Sequence, residues 1–151
     1  ADRREESMAR ITRNGAAAWA GGLKDGKGTV STESGALKER PYGFATRFEG
    51  APGTNPEELL AAAHAGCFTM ALSMILGEEK LTAERMETTA EVSLEQVEGG
   101  FAITSVRLKL EARVPGADPA TLERLAGKAK EGCPVSKLFK APITLDVKLL
   151  S

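Results

Sequence analysis

The sequence has no excess of charge of either sign. Among its 151 residues, 20 are Lys or Arg and 21 are Asp or Glu, so the net charge is −1. Proteins that bind nucleic acids or anionic membranes usually concentrate basic residues on one surface, and this composition has no such surplus. We therefore predict no nucleic-acid partner and no membrane partner.

The sequence also has no apolar segment of the kind that directs secretion. Residues 1–13 are mostly charged or polar. We expect them to form a loosely docked N-terminal extension of a cytoplasmic protein. The remaining residues, 14–151, contain no repeat and no low-complexity linker, and they are numerous enough to bury one core. We predict a single domain over residues 14–151.

Cysteine and histidine are scarce, with only Cys67, Cys133 and His64 present. Two cysteines in a reducing compartment rarely form a static disulfide, so they are either inert core thiols or reactive ones. Together with His64, and with Glu57 or water as a fourth ligand, they could in principle bind a metal, but the spacing lacks a second paired motif. We predict no metal and no cofactor, and we interpret His64 as a packing or hydrogen-bonding residue.

The longest apolar run lies within residues 54–76, which begin with capping residues, a proline and two glutamates, as helices do. Beyond that start the segment is apolar on every side, so we predict a wholly buried helix. Its length approaches that of a membrane helix. The 27% of charged residues in the chain and the lack of a second apolar run favour the core helix of a soluble protein.

The other elements follow from alternation and from turn residues. Strands are predicted at 16–19 and 28–34, joined as a hairpin, then at 42–49, 86–97, 101–114 and 143–150. A helix is predicted from Asp118 to just before Gly132, and a short helix after Cys133. The order of strands and helices predicts an α+β fold.

The two cysteines allow two interpretations. Cys67 lies inside an apolar helix, where cysteine is more often a small core residue than a nucleophile. Cys133 precedes Pro134 at a helix start, where unpaired N–H groups favour a thiolate, although it could equally be a plain turn residue. As a reactive pair, one thiolate would attack a peroxide bond and the other thiol would capture the resulting sulfenic acid as a disulfide.

A peroxide-cleaving thiolate needs a cation beside it, and Arg47 is a candidate. It lies on the face of its predicted strand opposite the aromatic stripe, although arginines on strands usually face solvent. Glu57 could hold Arg47 in a charge-assisted pair, or it could simply complement the helix dipole. We expect Phe68, Met70 and Met74 to provide an adaptable apolar lining near Cys67.

Four segments of the chain closely resemble the OsmC (osmotically inducible protein C) family, a sister branch of the organic hydroperoxide resistance proteins. They are KGTVSTESG, PYGFATRFEG, TNPEELLAAAHAGCFTMALS and GCPVSKLFKAPITLDVKL. The resemblance covers residues 14–150 in order, with the cysteines 66 residues apart, and the HAGC context favours the OsmC branch.

This resemblance implies a thiol-dependent peroxidase that reduces organic hydroperoxides to alcohols, with electrons from dithiols, including lipoylated proteins. It implies that Cys67 is the peroxidatic cysteine and Cys133 the resolving cysteine. It further implies that Arg47 activates the thiolate and that Glu57 orients Arg47. The implied fold has two antiparallel β-sheets around long central helices, in an intertwined homodimer whose sites lie at the subunit interface.

The spacing of Glu57 and Cys67 adds a constraint of its own. Ten residues of straight helix place them about 15 Å apart along the axis, so they cannot meet in one chain unless the helix start bends back. We predict instead that Glu57 comes from the other subunit. The alternative function is a non-enzymatic dimer that binds a small hydrophobic molecule and whose cysteines are inert.

Overall fold

The computed structural model describes residues 10–150. Residues 1–9 of the predicted extension, and Ser151, lie outside the described residues. The chain divides between Pro56 and Glu57 into two compact units. Each unit is considered in turn, and the single domain over 14–151 stays a prediction.

The N-terminal unit contains the predicted hairpin and one more short strand. Strands β1 (Gly15–Ala20), β2 (Lys27–Thr32) and β3 (Arg40–Tyr42) form an antiparallel sheet in that order. Trp19, Gly28 and Tyr42 lie in one row across it. A Cβ on Gly28 would come within 2.6 Å of ring atoms of both aromatic residues. Glycine at this position therefore lets the two rings meet edge to face, with centroids 5.5 Å apart.

The predicted strand over 42–49 is wrong, because the chain leaves the sheet at Tyr42 and forms helix α1 (Phe44–Phe48). The Thr46 hydroxyl accepts a hydrogen bond from the Gly43 N–H at 2.8 Å and donates one to the Gly43 carbonyl at 3.0 Å. These two local hydrogen bonds close a turn, which replaces the hydrogen bonds of a continued β-strand. The Phe44 and Phe48 rings, one helical turn apart, then pack at a tilt with their centroids 5.0 Å apart. Their spacing of four residues fits either period, which is why alternation misled the prediction.

The C-terminal unit carries the long helix and the larger sheet. Its elements are α2 (Pro56–Glu78), β4 (Arg85–Val97), β5 (Gly100–Arg113), α3 (Pro119–Gly132), α4 (Pro134–Leu138) and β6 (Ile143–Leu149). The predicted β4–β5 hairpin is confirmed. The expectation of two antiparallel sheets is wrong for this sheet, because β6 pairs with β5 in parallel. Helices α3 and α4 return the chain to the same end of the sheet, which is what a parallel connection needs.

The predicted alternation in β5 is confirmed and defines the core. Val106, Leu108 and Leu110 are fully or almost fully buried, whereas the residues between them are exposed. On that exposed face, the Lys109 Nζ lies 2.6 Å from a Glu91 oxygen. Asp118 caps the start of α3, where its carboxylate accepts a hydrogen bond from the Thr121 N–H at 2.7 Å. Helix α3 covers the buried face of the sheet with its apolar stripe, which comprises Leu122, Leu125, Ala126 and Ala129.

Helix α2 was expected to be wholly buried, and that expectation is wrong for the chain described. One stripe, His64, Phe68, Leu72 and Leu76, is fully or almost fully buried. The last three belong to the core cluster that includes β5 and α3. Met70 and Met74 are 77% and 64% exposed on another face. Within one chain only one side of α2 is covered, so Phe68 is a core residue and does not share a lining with the two methionines.

Helix α2 is also long and apolar enough to cross a membrane, judged by length and hydropathy alone. Its buried stripe packs against β5 and α3, as expected for the core helix of a soluble protein.

Candidate active site

The fold brings Cys67 and Cys133 together. Cys67 lies in the middle of α2 and is partly buried, and Cys133 lies between α3 and α4 and is fully buried. Both are free thiols, and their sulfur atoms are 2.8 Å apart. A disulfide bond is ~2.05 Å long. The two sulfurs therefore need little movement to become bonded, which is the arrangement expected of a reactive pair.

Cys133 is held by the ends of two helices. Its N–H donates to the Ala129 carbonyl at 2.9 Å and completes α3, while its own carbonyl accepts the Lys137 N–H at 3.2 Å. Pro134 fills the first position of α4, where no N–H is needed. The predicted helix start after Cys133 is confirmed. The Cys133 side chain makes no capping hydrogen bond there.

The neighbours of Cys67, among them Val135 in the first turn of α4, shift the pKa of its thiol. Burial raises the pKa of the Cys67 thiol, and the hydrogen bond with the Cys133 thiol raises that pKa further, with a smaller contribution from the repulsion between two sulfurs that would both be ionised. A backbone hydrogen bond from Val135 lowers the pKa, but its effect is smaller than that of burial. The surroundings described in the chain therefore favour the neutral thiol, and ionising Cys67 calls for a cation.

His64 lies one turn before Cys67 and is fully buried. Its Nε2 is 2.7 Å from the Ser136 Oγ, and its ring packs against Phe139 with centroids 5.3 Å apart. The hydrogen-bonding interpretation of His64 is confirmed. Its Nδ1 is buried and makes no hydrogen bond with any described residue. Ser136 gives no signal in the sequence, because its role depends on how α4 meets α2.

His64 should make stability depend on pH. Burial lowers the pKa of His64 below its ordinary value of about 6.5. At neutral pH both folded and unfolded His64 are uncharged, but below about pH 6.5 the unfolded chain binds a proton that the folded chain resists. Stability is therefore complete above that value and falls with pH, by up to about 1.4 kcal/mol per pH unit. We expect the free energy of unfolding, measured with urea between pH 7.5 and 5.5, to show this loss. In His64→Gln the share of the loss that comes from His64 should disappear.

Arg47 and Glu57 lie in different units. Arg47 is an exposed residue of α1, with its guanidinium 5.5 Å from the centre of the Phe48 ring. Glu57 is a buried residue in the first turn of α2. Helix α2 is unbroken from Pro56 to Glu78. It therefore keeps Glu57 and Cys67 of one chain about 15 Å apart along its axis, and the helix start does not bend back. That Arg47 and Glu57 approach the cysteines stays a prediction.

Metal ligands do not cluster in the part of the chain that the structure describes. Over residues 10–150, no three His, Cys, Asp or Glu side chains are grouped so that they could hold a metal ion.

Comparison with known proteins identifies the family of the chain. The family model described as OsmC-like protein matches residues 48–148. The chain belongs to the OsmC family. The family match includes both cysteines and Glu57, whereas Arg47 lies one residue before it.

Named relatives of this OsmC-family chain include peroxidases. It is 59% identical to peroxiredoxin OsmC of Escherichia coli (strain K12) over 141 residues, which are 93% of this chain and 99% of the relative. It is 36% identical to an organic hydroperoxide resistance protein of Xanthomonas axonopodis pv. citri over 101 residues, which are 66% of this chain and 69% of the relative.

Solved structures support the predicted OsmC-like fold. A crystal structure of an organic hydroperoxide resistance protein OsmC from Legionella pneumophila has a TM-score of 0.68 and 28% identity, and covers 94% of this chain and 100% of that one. The crystal structure of OhrB of Bacillus subtilis has a TM-score of 0.65 and 27% identity. The match covers 91% of this chain and 98% of that one.

Proposed function

We propose that this OsmC-family protein is a thiol-dependent peroxidase of stress defence that reduces organic hydroperoxides to alcohols. The observation that carries the proposal is the pair of free thiols, Cys67 and Cys133, with sulfur atoms 2.8 Å apart. Cys67 is the more exposed of the two, so it is the one that a hydroperoxide reaches first. Cys133 is fully buried behind it and serves as the resolving thiol.

The Cys67 and Cys133 thiols supply the two electrons that reduce the hydroperoxide, and they end as a disulfide. The Cys67 thiolate attacks the terminal oxygen of the hydroperoxide, the O–O bond breaks, and the alkoxide takes a proton to leave as the alcohol. Cys67 is then a sulfenic acid. The Cys133 sulfur attacks it, the S–O bond breaks, and the oxygen leaves as water. A dithiol, such as a lipoylated protein, restores both thiols by exchange.

Arg47 is the cation that this chemistry needs. Because burial raises the pKa of Cys67, a guanidinium beside the sulfur would offset that cost and stabilise the departing alkoxide. Arg47 also borders a pocket of about 200 Å³ within the N-terminal unit, with Trp19, Tyr42, Phe44 and Phe48 among its other lining residues. An aromatic pocket with one cation suits a substrate that has an apolar body and a polar reacting end.

Removing the charge of Arg47 should slow the first step. In Arg47→Met we expect the second-order rate with an organic hydroperoxide to fall by roughly tenfold or more, because an adjacent cation favours the thiolate. The alkylation of Cys67 by iodoacetamide should also need a higher pH. Arg47→Lys keeps the charge, so it should retain part of the rate with hydroperoxide and part of the alkylation of Cys67 at lower pH. An unchanged alkylation profile in Arg47→Met would remove Arg47 from this role.

We propose a homodimer in which α2 is covered by a second copy. Met70 and Met74 are largely exposed, and a Cβ added at Gly66 or Gly77 would meet no described atom within 4 Å beyond the neighbouring backbone of α2. The packing of a single chain therefore does not require glycine at either position, whereas the close approach of another backbone would. In that dimer Glu57 holds Arg47 at the Cys67 of the other subunit.

Mixed dimers test the sharing of Glu57 between subunits. A dimer of one Cys67→Ser chain and one Glu57→Ala chain, purified by two different tags, would keep one intact site if Glu57 acts across the interface. We expect about half of the wild-type activity, far above either parental homodimer. Activity no higher than that of the Glu57→Ala homodimer would place Glu57 at the site of its own chain and contradict the arrangement.

A turnover assay tests the function itself. Cumene-type and fatty-acid hydroperoxides should be reduced faster than hydrogen peroxide, with dihydrolipoate or a lipoylated protein as a better reductant than a monothiol. No turnover with any of these pairs, from protein whose thiols are shown to be reduced, would favour a cytoplasmic binding protein with inert cysteines.

A further inference from the structure

The His64–Ser136 pair is not used by the peroxidase chemistry. His64 is on α2, three residues before Cys67, and Ser136 is on α4, three residues after Cys133. The two polar atoms lie 2.7 Å apart, and both side chains are buried. This hydrogen bond therefore links α2, which carries Cys67, to α4, which begins directly after Cys133.

A serine beside a histidine is also the arrangement of an activated nucleophile. Two observations argue against that function. Ser136 is only 7% exposed and His64 is fully buried, so a substrate has no access to the hydroxyl. Nδ1 of His64 has no described hydrogen-bond partner, whereas a catalytic histidine is oriented by a third group at that nitrogen.

The unpartnered Nδ1 indicates which tautomer is present. If Nε2 carries the proton and donates to the Ser136 Oγ, Nδ1 is left as a bare acceptor. If Ser136 donates instead, a buried N–H is left unsatisfied, and orphaned donors are the rarer case. We therefore assign the proton to Nε2. The N–H of the neutral His64 ring then donates to Ser136 of α4.

Apolar packing and polar bonds both hold α4: Val135 packs against the core cluster, and Phe139, directly after the helix, packs against the His64 ring. The helix has five residues, and a helix of that length is not stable by itself. Leu138 is 73% exposed, so the last side chain of the helix adds little to this packing.

Among the described residues, the Cys133 N–H bond ties the start of α4 to α3, and the buried bond between His64 and Ser136 ties α4 to α2. The placement of Cys133 and of the Val135 amide relative to Cys67 therefore depends in part on the His64–Ser136 bond.

We propose that His64 is a positioning residue. Its hydrogen bond to Ser136 holds α4 against α2, which keeps the Cys133 sulfur and the Val135 N–H at the Cys67 sulfur. The proposal deepens the proposed function and rests on it only for the roles of the two thiols. The contact itself can be tested without any hydroperoxide.

Equilibration with glutathione measures how well the two thiols are placed. Two protein thiols and one oxidised glutathione give the protein disulfide and two reduced glutathiones, so the equilibrium reports their effective concentration. We expect Ser136→Ala to lower that concentration roughly three- to tenfold, the usual range for one lost hydrogen bond. Ser136→Thr, which keeps the hydroxyl, and His64→Gln, which keeps a donor near the Nε2 position, should restore most of it.

Thr88→Ala is the matched control. It removes a 2.7 Å hydrogen bond between α2 and β4, donated by Thr69, and leaves α4 untouched. A general loss of stability would lower the effective concentration equally in Thr88→Ala and Ser136→Ala, and that result would overturn the proposal. A second readout is the pH dependence of Cys67 alkylation in a Cys133→Ser background. It should move upwards in Ser136→Ala and stay unchanged in Thr88→Ala.

The two proposals fail in different ways. Wild-type protein that forms the disulfide with glutathione but reduces no hydroperoxide would refute the peroxidase and leave the positioning role intact. Ser136→Ala with wild-type values in both readouts would refute the positioning role, whatever the hydroperoxide assay shows.

Discussion

Cys67→Ser is expected to lose hydroperoxide turnover by roughly 10³-fold or more. Serine keeps the shape of the side chain, but its hydroxyl is far less acidic than a thiol and cannot cycle through a sulfenic acid. Steady-state consumption of an organic hydroperoxide, coupled to oxidation of dihydrolipoate, gives the measurement. The Thr88→Ala chain, which lacks only a bond outside the thiol pair, serves as the folded control.

The structure makes this loss specific to Cys67. The side chain lies beside the core cluster on α2 and is only partly buried, so an exchange of sulfur for oxygen should leave the fold intact. Circular dichroism and gel filtration should match those of the wild type. Steady turnover in the serine variant would show that the nucleophile lies elsewhere, and the mechanism would be wrong.

Cys133→Ser should behave differently, with one fast turnover followed by a stall. Cys67 can still cleave the peroxide bond, but no thiol remains 2.8 Å away to capture its sulfenic acid. We expect a burst of one hydroperoxide per chain, with the subsequent rate roughly 10²-fold lower when no monothiol is present. Stopped-flow measurement of the burst and mass spectrometry of a dimedone adduct on Cys67 provide the readouts.

A Cys133→Ser chain that turns over at the wild-type rate with a dithiol would show that the reductant attacks the sulfenic acid directly. Cys133 would then be a core residue that merely contacts Cys67. The fully buried position of Cys133 makes this outcome distinguishable, because an external dithiol reaches Cys67 before it reaches Cys133.

Much of the C-terminal unit can be predicted from local chemistry. Pro56 and Asp118 mark helix starts, the Glu98–Gly100 turn marks a hairpin, and β5 shows its buried face by alternation. These signals act within a few residues, so they can be recognised without knowledge of the tertiary structure. The α+β class follows from their order.

The wrong predictions share a physical cause, which is that distant or competing contacts decide the outcome. The aromatic residues at positions 44 and 48 satisfy both a strand and a helix period, and the bonds between Thr46 and Gly43 favour the helix. The apolar surface of α2 predicts burial, yet one chain covers only one side of it. The parallel pairing of β6 depends on the path of two preceding helices.

The sequence singles out the two cysteines of the candidate site but not their geometry. The motif around each cysteine identifies Cys67 and Cys133, but 66 residues separate them and no spacing rule places their sulfurs side by side. Val135 and Ser136 carry no sequence signal, since each acts only because α4 lies against α2. Short polar contacts between distant elements are determined by the packed structure alone.

The most direct test of the central claim is a thiol count after one equivalent of an organic hydroperoxide is added to the fully reduced wild-type protein. The account predicts that both thiols disappear together, that one alcohol forms per chain, and that peptide mapping finds a Cys67–Cys133 disulfide. Two thiols remaining after the hydroperoxide is added would contradict it, and so would a single modified cysteine with no disulfide.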